Sequence, residues 1–257
     1  MDGGLPIVRL LPGRDGPLED GHPWIFSRAV DEKSIAGLPD GAVARLESAT
    51  GDDLGLVFYS ATSSIRLRRI AAGEAVLSDD GLRAYLEGLT AWKAAAMPVE
   101  TDAMRLVHGE ADGLPGVVID RYDNTAVVQL SIPGADALRE RIATALTGMG
   151  IRNVYERSDV PSRAYEGLEP RTGLLAGVIP TDLTIAEAGA RFHVDIQRGQ
   201  KTGFFPYQPP APAALPRLAQ GKPPLTALSH PVPFPHTPLR TRPASPPNAT
   251  RSTAGQR

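Results

Sequence analysis

One short stretch of the chain concentrates residue types that perform chemistry. Residues 105–116 (RLVHGEADGLPG) place His108, Glu110 and Asp112 two positions apart among glycines. Such a set could bind a metal ion, or the Glu110 and Asp112 carboxylates could act as the acid and base of a hydrolase. The alternative is a turn, because Gly adopts positive φ and acidic side chains accept backbone N–H groups. Turn chemistry is the simpler interpretation, and we predict no metal site.

A second candidate lies at residues 21–27 (GHPWIFS), where two aromatic rings follow a histidine. Trp24 and Phe26 could stack on RNA bases, or they could close a small barrel as part of its core. In residues 64–68 (SIRLR), two arginines alternate with apolar residues. Their guanidinium groups either contact RNA phosphates or lie on an ordinary solvated face. The candidates for RNA binding are His22, Trp24, Ser27, Arg66 and Arg68.

Periodicity and turn residues indicate the elements that position these candidates. Residues 7–70 show short extended runs separated by Gly, Pro and Asp turns, a pattern typical of a small β-barrel. Within this region, residues 42–48 and 54–59 flank the turn at 51–53 and predict a hairpin. Residues 78–97 repeat apolar side chains every three or four positions, which predicts a helix that Ser78 or Asp79 caps and Pro98 ends. The pattern that follows predicts a mixed α/β fold, with strands at 116–121, 126–132 and 153–157, a helix at 135–147 and a hairpin of 184–187 with 191–196.

The composition changes at Pro206. Residues 206–257 hold 14 of the 25 prolines, six basic residues and no acidic residue, so we expect a disordered tail. The preceding 205 residues carry 21 basic and 29 acidic residues, a net charge of −8. This charge argues against strong nonspecific binding to nucleic acid, but it allows a local basic face.

The residue types that the chain lacks narrow the function classes further. The sequence has no cysteine, which excludes disulfides, thiolate metal ligands and a thiol nucleophile. The first residues do not resemble a signal peptide, and no apolar run reaches the length of a membrane span. We therefore expect a cytoplasmic protein without membrane contact.

Several of these stretches together resemble one protein family. The chain is similar to the N-terminal half of bacterial PUA-domain, class I S-adenosylmethionine (SAM)-dependent ribosomal RNA methyltransferases of the 23S cytosine-5 type. The similarity extends over residues 7–205 and follows the family's order of motifs. The stretches are 21–27, 64–68, 110–116 with 120–122 (EADGLPG and DRY), 155–159 (YERSD), 166–173 (EGLEPRTG) and 199–205 (GQKTGFF).

The resemblance implies an architecture and a substrate. It implies a PUA-like RNA-binding barrel over residues 1–72 and a central α/β domain over residues 73–205. In this family, the 199–205 stretch leads into a Rossmann-like domain that uses SAM to methylate large-subunit ribosomal RNA (rRNA). The motif residues to which the resemblance assigns no role are Glu110, Asp112, Arg121, Glu156, Arg157, Asp159, Arg171, Gln200, Lys201 and Thr202.

Two departures from the family pattern shape our expectation of activity. The family continues after position 205 with a Leu-Asp-Gln-Arg-like stretch, whereas Pro206 begins the proline-rich tail here. The family's chemistry also resembles thiolate addition to cytosine, for which this chain has no cysteine. We therefore expect a truncated or frameshifted member without the Rossmann-like domain, which binds no SAM and transfers no methyl group alone. The alternative is a stand-alone RNA-binding module whose basic tail contacts phosphates.

Two surface expectations follow from the same resemblance. Without the next domain, Phe204 and Phe205 would leave an exposed apolar patch that promotes association. The first loop carries Asp15, Glu19 and Asp20, whereas the family tends to be basic there. This loop argues against tight RNA binding at its edge of the barrel.

Overall fold

The computed structural model describes residues 4–97, 100–187 and 190–204, so the proline-rich tail and Phe205 lie outside the described residues. Within those ranges the chain forms two five-stranded sheets, a two-stranded hairpin and five α-helices. The strands are β1 Ile7–Arg9, β2 Trp24–Phe26, β3 Val43–Glu47, β4 Asp53–Tyr59, β5 Ile65–Ile70, β6 Ala103–His108, β7 Val117–Tyr122, β8 Thr125–Leu130, β9 Asn153–Ser158, β10 Arg171–Ala176, β11 Thr184–Glu187 and β12 Ala190–His193. The helices are α1 Gly16–Glu19, α2 Asp79–Ala96, α3 Pro133–Ala137, α4 Arg139–Gly148 and α5 Ser162–Tyr165.

The first sheet has the strand order β1-β3-β4-β5-β2. Strand β1 runs parallel to β3, and the other neighbouring strands are antiparallel. Alternate residues of these strands point to the same side, where they form a buried apolar core. That core includes Val8, Ile25, Leu46, Val57 and Leu67. The strands predicted at the start of the chain are therefore present as a five-stranded sheet, and its closure into the expected barrel stays a prediction. The hairpin predicted from residues 42–48 and 54–59 is β3 with β4.

The second sheet has the order β10-β9-β8-β7-β6 and is covered on both faces. Helices α3 and α4 connect the parallel strands β8 and β9 and pack on one face together with α2. The β11–β12 hairpin and the segment after it pack on the other face. Because side chains alternate along each strand, Ile119 and Val128 face the helices while Tyr122 and Val127 face the hairpin.

The predicted helices are present, but the second one starts earlier than predicted and is broken at Leu138. The hydroxyl of Ser78 accepts the N–H of Gly81 at 3.0 Å, which confirms the predicted cap of α2. The single helix predicted at 135–147 is instead α3 followed by α4. Pro133 starts α3 two residues early, because its fixed φ suits the first helical turn. Leu138, with φ −87° and ψ 0°, then separates α3 from α4.

The two sheets meet in an apolar core that is separate from the core inside the first sheet. Leu56, Phe58 and Ile70 point away from the inside of the first sheet and pack among residues of the second sheet and its helices. Gly134 lies against the Phe58 ring, and a Cβ there would come within 2.3 Å of the ring carbon Cδ1. Gly41 has a φ of +81°, and a Cβ there would lie 2.8 Å from the Pro133 carbonyl oxygen. Two glycines therefore allow the close approach of α3 to the first sheet.

The strands of the first sheet end at Ile70 and those of the second begin at Ala103. The predicted boundary between residues 72 and 73 stays a prediction. Within the described ranges, every helix is too short or too polar to cross a membrane.

We predict that Gly134→Ala destabilises the protein. The added methyl group would overlap the Phe58 ring and force α3 away from β4, at a cost of about 1–3 kcal/mol in the free energy of unfolding. Urea unfolding measures this cost.

Gly88→Ala is the matched control. Gly88 lies inside α2, and a Cβ there would have no atom within 4 Å, so alanine should stabilise the helix by about 0.5–1 kcal/mol. Equal effects of the two substitutions would contradict the close packing at Gly134.

Candidate functional site

The two aromatic residues of strand β2 lie on its outer side. Ile25 between them is buried in the core of the first sheet, whereas Trp24 and Phe26 are 38% and 49% exposed. The alternative in which they close the barrel as part of its core is therefore wrong. The cause is the two-residue alternation of a strand, which allows either Ile25 or its two neighbours to point inward.

Trp24 is held by polar contacts although its ring is partly exposed. Its indole N–H donates to Glu110 Oε1 at 2.9 Å, across the junction between the two sheets. Its backbone N–H donates to His22 Nδ1 at 3.2 Å, and the His22 ring meets the indole edge-on at 5.8 Å. The candidates His22, Trp24 and Glu110 therefore form one connected group.

Arg68 is buried at this junction, so the interpretation as a solvated side chain is wrong, and the guanidinium group of this RNA-binding candidate contacts Glu166 instead. It is 5% exposed, and its Nη2 lies 2.6 Å from Glu166 Oε1, with Nη1 3.3 Å from Oε2. Its Nε lies 3.9 Å from Glu110 Oε1. The pairing of strands explains the burial, because Arg68 lies opposite both Trp24 and Phe58 on the face that meets the second sheet and its flanking helices. We call this sheet, with its helices and the β11–β12 hairpin, the second domain.

Glu166 accepts hydrogen bonds from β5 and from the loop that precedes it. Besides Arg68, it accepts the Ser63 hydroxyl at 2.8 Å. Ser60 accepts a further Arg68 N–H at 3.2 Å. A buried carboxylate is tolerated when a cation and hydrogen-bond donors surround it, and Glu166 has both. The sequence places Glu166 in the 166–173 motif but gives no signal of a partner about a hundred residues earlier.

Two other candidates, Arg66 and Ser27, contact the backbone at the start of β5. The ladder between β2 and β5 shifts at Arg66, since Ile25 pairs with Leu67 and Phe26 with Ile65. This bulge turns the Arg66 guanidinium onto the carbonyl oxygens of Ser60 and Ala61. The candidate Ser27 is half-buried, and its backbone N–H donates to the Ser64 carbonyl at 3.1 Å.

The acidic residues at the 105–116 turn do not act as a pair. Glu110 contacts Trp24 and Arg68, whereas Asp112 Oδ2 accepts the His108 backbone N–H at 2.6 Å and the Lys93 ammonium group. In the described part of the chain, no three His, Asp or Glu residues cluster as metal ligands would. The geometry favours the turn interpretation over a hydrolase.

Residues 199–204 (GQKTGF) are docked on the second sheet by a chain of hydrogen bonds. The Thr202 hydroxyl donates to Asp120 Oδ2 at 2.5 Å, and Asp120 also accepts two N–H groups of Arg105 at 2.7 and 2.8 Å. Because the Thr202 proton goes to Asp120, the Thr202 oxygen accepts from the Tyr122 hydroxyl at 2.8 Å. Tyr122 in turn accepts the Phe204 backbone N–H at 3.3 Å.

Burial raises the pKa of Tyr122 above its usual value, and the neighbouring Asp120 carboxylate raises it further. The Tyr122 hydroxyl therefore keeps its proton, as its role as a donor to Thr202 requires.

Phe204 is packed rather than exposed. It is 7% exposed, and its ring meets Phe192 edge-on at 5.2 Å within the core beneath the hairpin. The predicted apolar patch is therefore wrong for Phe204, because this residue finds its apolar partners on the second sheet. Phe205 lies outside the described residues. The side chains of Gln200 and Lys201 are exposed, and Lys201 has a φ of +58°.

The other motif residues make hydrogen bonds and ion pairs within the second domain. Arg157 binds the carbonyl oxygens of Ile196 and Gly199 at 3.1 and 3.2 Å, and it pairs with Asp159 at 3.2 Å. The remaining contacts are those of Glu156 with Arg139 at 2.9 Å and with the exposed Arg171 at 3.7 Å, and of Arg121 with the Asp123 carbonyl at 2.7 Å.

Removing the cation from the junction should be costly. Arg68→Met would leave the Glu166 carboxylate buried without its partner, so we expect the free energy of unfolding to fall by about 3–5 kcal/mol. Urea unfolding at neutral pH measures the change.

The control is Arg45→Met. Arg45 pairs with Asp53 on the surface at 2.7 Å, where solvent screens the charges, so little change is expected. An Arg68→Met loss no larger than the Arg45→Met loss would contradict the stabilising role of the junction pair.

The docked segment gives a second prediction. Thr202→Val keeps the side-chain shape but removes the hydroxyl. We expect this loss to destabilise the docked conformation of residues 199–204 by about 1–3 kcal/mol. Trypsin cleavage after Lys201, followed by mass spectrometry, should become faster. Thr202→Ser retains the hydroxyl and should be cleaved like the wild-type chain. Equal cleavage of the valine and serine variants would show that the Asp120 contact does not hold the segment closed.

Comparison with known proteins gives these features a context. Residues 8–71 match the family model of a PUA-like domain. The chain is 42% identical over 227 residues to ribosomal RNA large subunit methyltransferase I of Alteromonas mediterranea, covering 87% of this chain and 57% of the relative. The protein of the same name from Shewanella amazonensis is 38% identical over 220 residues, covering 84% and 55%. The chain thus spans about half the length of the curated relatives it matches.

Solved structures share the fold. A Streptococcus mutans protein assigned as a SAM-dependent methyltransferase superposes with a TM-score of 0.63 at 21% identity, over 82% of this chain and 54% of that protein. A methyltransferase-assigned structure in complex with SAH matches with the same TM-score and identity. Residues 8–71 therefore form a PUA-like domain, in a chain that is similar over most of its length to about half of a ribosomal RNA large subunit methyltransferase I.

Proposed function

We propose that this chain acts in the SAM-dependent methylation of large-subunit rRNA. In this proposal, the described residues recognise the RNA and position the segment that leads into a catalytic domain. The observation that carries the proposal is the 42% identity over 227 residues to a protein named for this activity. It is supported further by the hydrogen bonds and ion pairs that motif residues of the family resemblance make in the structure.

The docked 199–204 segment supports the positioning role. Thr202 bonds to Asp120 beneath it, and Phe204 is fixed through its backbone to the Tyr122 hydroxyl. Arg157 fixes the preceding turn through the Gly199 carbonyl oxygen. A chain that continues from Phe204 therefore leaves the second domain from a fixed point and in a fixed direction. A catalytic domain attached there would be held relative to the PUA-like domain.

The described residues do not fit SAM itself. A SAM-binding loop follows a strand, is rich in glycine and opens a helix, so that backbone N–H groups face the ligand. In the described ranges, the Gly148-Met149-Gly150 stretch comes after helix α4 and ends it. The chain also has no cysteine to attack a pyrimidine ring. We therefore assign recognition to these residues and derive no methyl-transfer step from them.

RNA binding by the purified chain tests the proposal. We expect large-subunit rRNA to bind more tightly than an equal mass of small-subunit rRNA in a filter-binding assay at fixed salt. The preference is expected because a PUA-like domain positioned by its neighbour presents one defined surface, whereas charge alone does not distinguish the two RNAs.

Titration calorimetry with SAM is the companion measurement. We expect no saturable heat, because the described residues offer no cofactor loop. Equal affinity for the two RNAs, or saturable binding of SAM, would contradict the division of roles proposed here.

A further inference from the structure

We propose that two copies of this chain associate through strand β10, which pairs with the β10 of the second copy across a two-fold axis. The inference goes beyond the proposed function, because it concerns how the chain assembles and not what it recognises. It starts from the edges of the sheets, where a strand leaves backbone N–H and C=O groups without strand partners. Of the edges in the described ranges, that of β10 best fits pairing with another chain.

The other sheet edges are short, covered or charged. Strands β1 and β2 at the two edges of the first sheet have three residues each. The β6 edge is covered by β11, since the Asp102 N–H donates to the Ala186 carbonyl at 3.1 Å. Strand β12 has four residues and exposes Arg191 and His193. Short strands, charged side chains and covering segments are the usual features that prevent edge pairing.

Strand β10 combines a longer edge with an uncharged, apolar sequence. It has six residues and lies beyond β9 at the end of the second sheet. After Arg171, residues 172–181 (TGLLAGVIPT) contain no charged residue. Leu174, Val178 and Ile179 in this stretch are 42%, 67% and 37% exposed. An exposed edge of this composition is a typical site of association between chains.

The pairing with β9 shows which backbone groups of β10 are free. The Asn153 N–H at the start of β9 donates towards β8, to the carbonyl of the residue before that strand, at 3.2 Å. The direction of backbone groups alternates along a strand, so Glu156, three positions later, faces β10. Its partner there is Gly173. The two neighbours of Gly173, Thr172 and Leu174, therefore direct their N–H and C=O groups to the free edge.

These free groups are complementary to those of a second copy. In an antiparallel arrangement centred on Gly173, Thr172 of each copy lies opposite Leu174 of the other. Each of these pairs exchanges two hydrogen bonds, and the two-fold axis generates one pair from the other. Gly173 lies opposite its own copy as a non-hydrogen-bonded pair, in which the Cα atoms are about 4.5 Å apart. No other register pairs all the free groups of both residues.

The arrangement also avoids the repulsion that opposes pairing of identical charged strands. The paired stretch 172–174 is uncharged. Arg171 beside it lies 3.7 Å from Glu156 of its own chain, and in this register it faces Leu175 of the other copy and not the second Arg171. The ladder with β9 becomes irregular after Leu174, which limits the pairing to this stretch. Because the paired stretch is short, we expect a reversible association.

A single cysteine tests the register, because the natural chain has none. Gly173→Cys places two thiols across the axis, where Cα atoms about 4.5 Å apart permit a disulfide. Under mild oxidation with copper phenanthroline, we expect a covalent dimer on non-reducing gel electrophoresis. The matched control is Gly88→Cys, at an exposed glycine of α2. A Cβ meets no atom within 4 Å at either glycine, so both variants should fold, and Gly88→Cys should cross-link far more slowly.

Sedimentation equilibrium measures the association of the natural chain. We expect the average mass to rise with concentration from the 27.3 kDa of one chain towards twice that value. Thr172→Pro removes an N–H that faces the free edge, so the ladder with β9 stays intact while pairing is blocked. Gly173→Lys places like charges directly opposite each other across the axis. Both variants should keep the mass of a single chain, and circular dichroism shows whether each retains the fold.

The possible outcomes decide the inference without touching the proposed function. A single-chain mass of the natural protein at every concentration overturns it, as does equal cross-linking of the two cysteine variants. If the Thr172→Pro and Gly173→Lys variants associate like the natural chain, the contact lies elsewhere and the inference is also wrong. The preference for large-subunit rRNA is measured separately, so either proposal can fail while the other stands.

Discussion

The buried ion pair between Arg68 and Glu166 is the contact on which the arrangement of the two domains depends. A guanidinium group that is almost excluded from water is tolerated only with a carboxylate and further hydrogen-bond partners beside it. The first sheet supplies Arg68 and two serine hydroxyls, and the second domain supplies Glu166. Separating the domains would leave both charges without their partners. The pair therefore fixes where strand β2, with its exposed rings, lies relative to helix α5.

A buried charge in the second sheet likewise fixes the other end of the described chain. The strands of this sheet bury side chains on both faces, one against helices and the other against the hairpin and residues 194–204. Asp120 is fully buried on the hairpin side, so its charge requires the Arg105 guanidinium and the Thr202 hydroxyl. A requirement for polar partners thus fixes the 199–204 segment, just as it fixes the domain junction. The 166–173 and 199–205 stretches therefore each contribute a group, Glu166 and Thr202, that pairs with a buried charge.

The sequence predicted the elements better than the directions of their side chains. Helix α2 was predictable because its apolar period and its Ser78 cap are local signals, and the β3–β4 hairpin was predictable for the same reason. The direction of Arg68 was not, because alternation alone indicates which residues share a face but not that a second domain covers it. The burial of Phe204 depends likewise on a sheet formed by residues far away in the sequence.

The candidate site was predictable only in its residue types. The 21–27 stretch allowed either stacking on RNA or a place in the barrel core, and the strand exposes Trp24 and Phe26. Arg66 could not be placed, because a bulge in the ladder turns its side chain onto backbone carbonyl groups.

A double-mutant cycle measures whether the Arg68–Glu166 pair holds the two domains together. The free energies of unfolding of the wild-type chain, Arg68→Met, Glu166→Leu and the double variant give the coupling energy between the two side chains. We expect a coupling of about 2–3 kcal/mol, with the double variant more stable than the sum of the two single effects would give. A coupling within about 0.5 kcal/mol of zero would contradict it, since that value is typical of residues that do not interact.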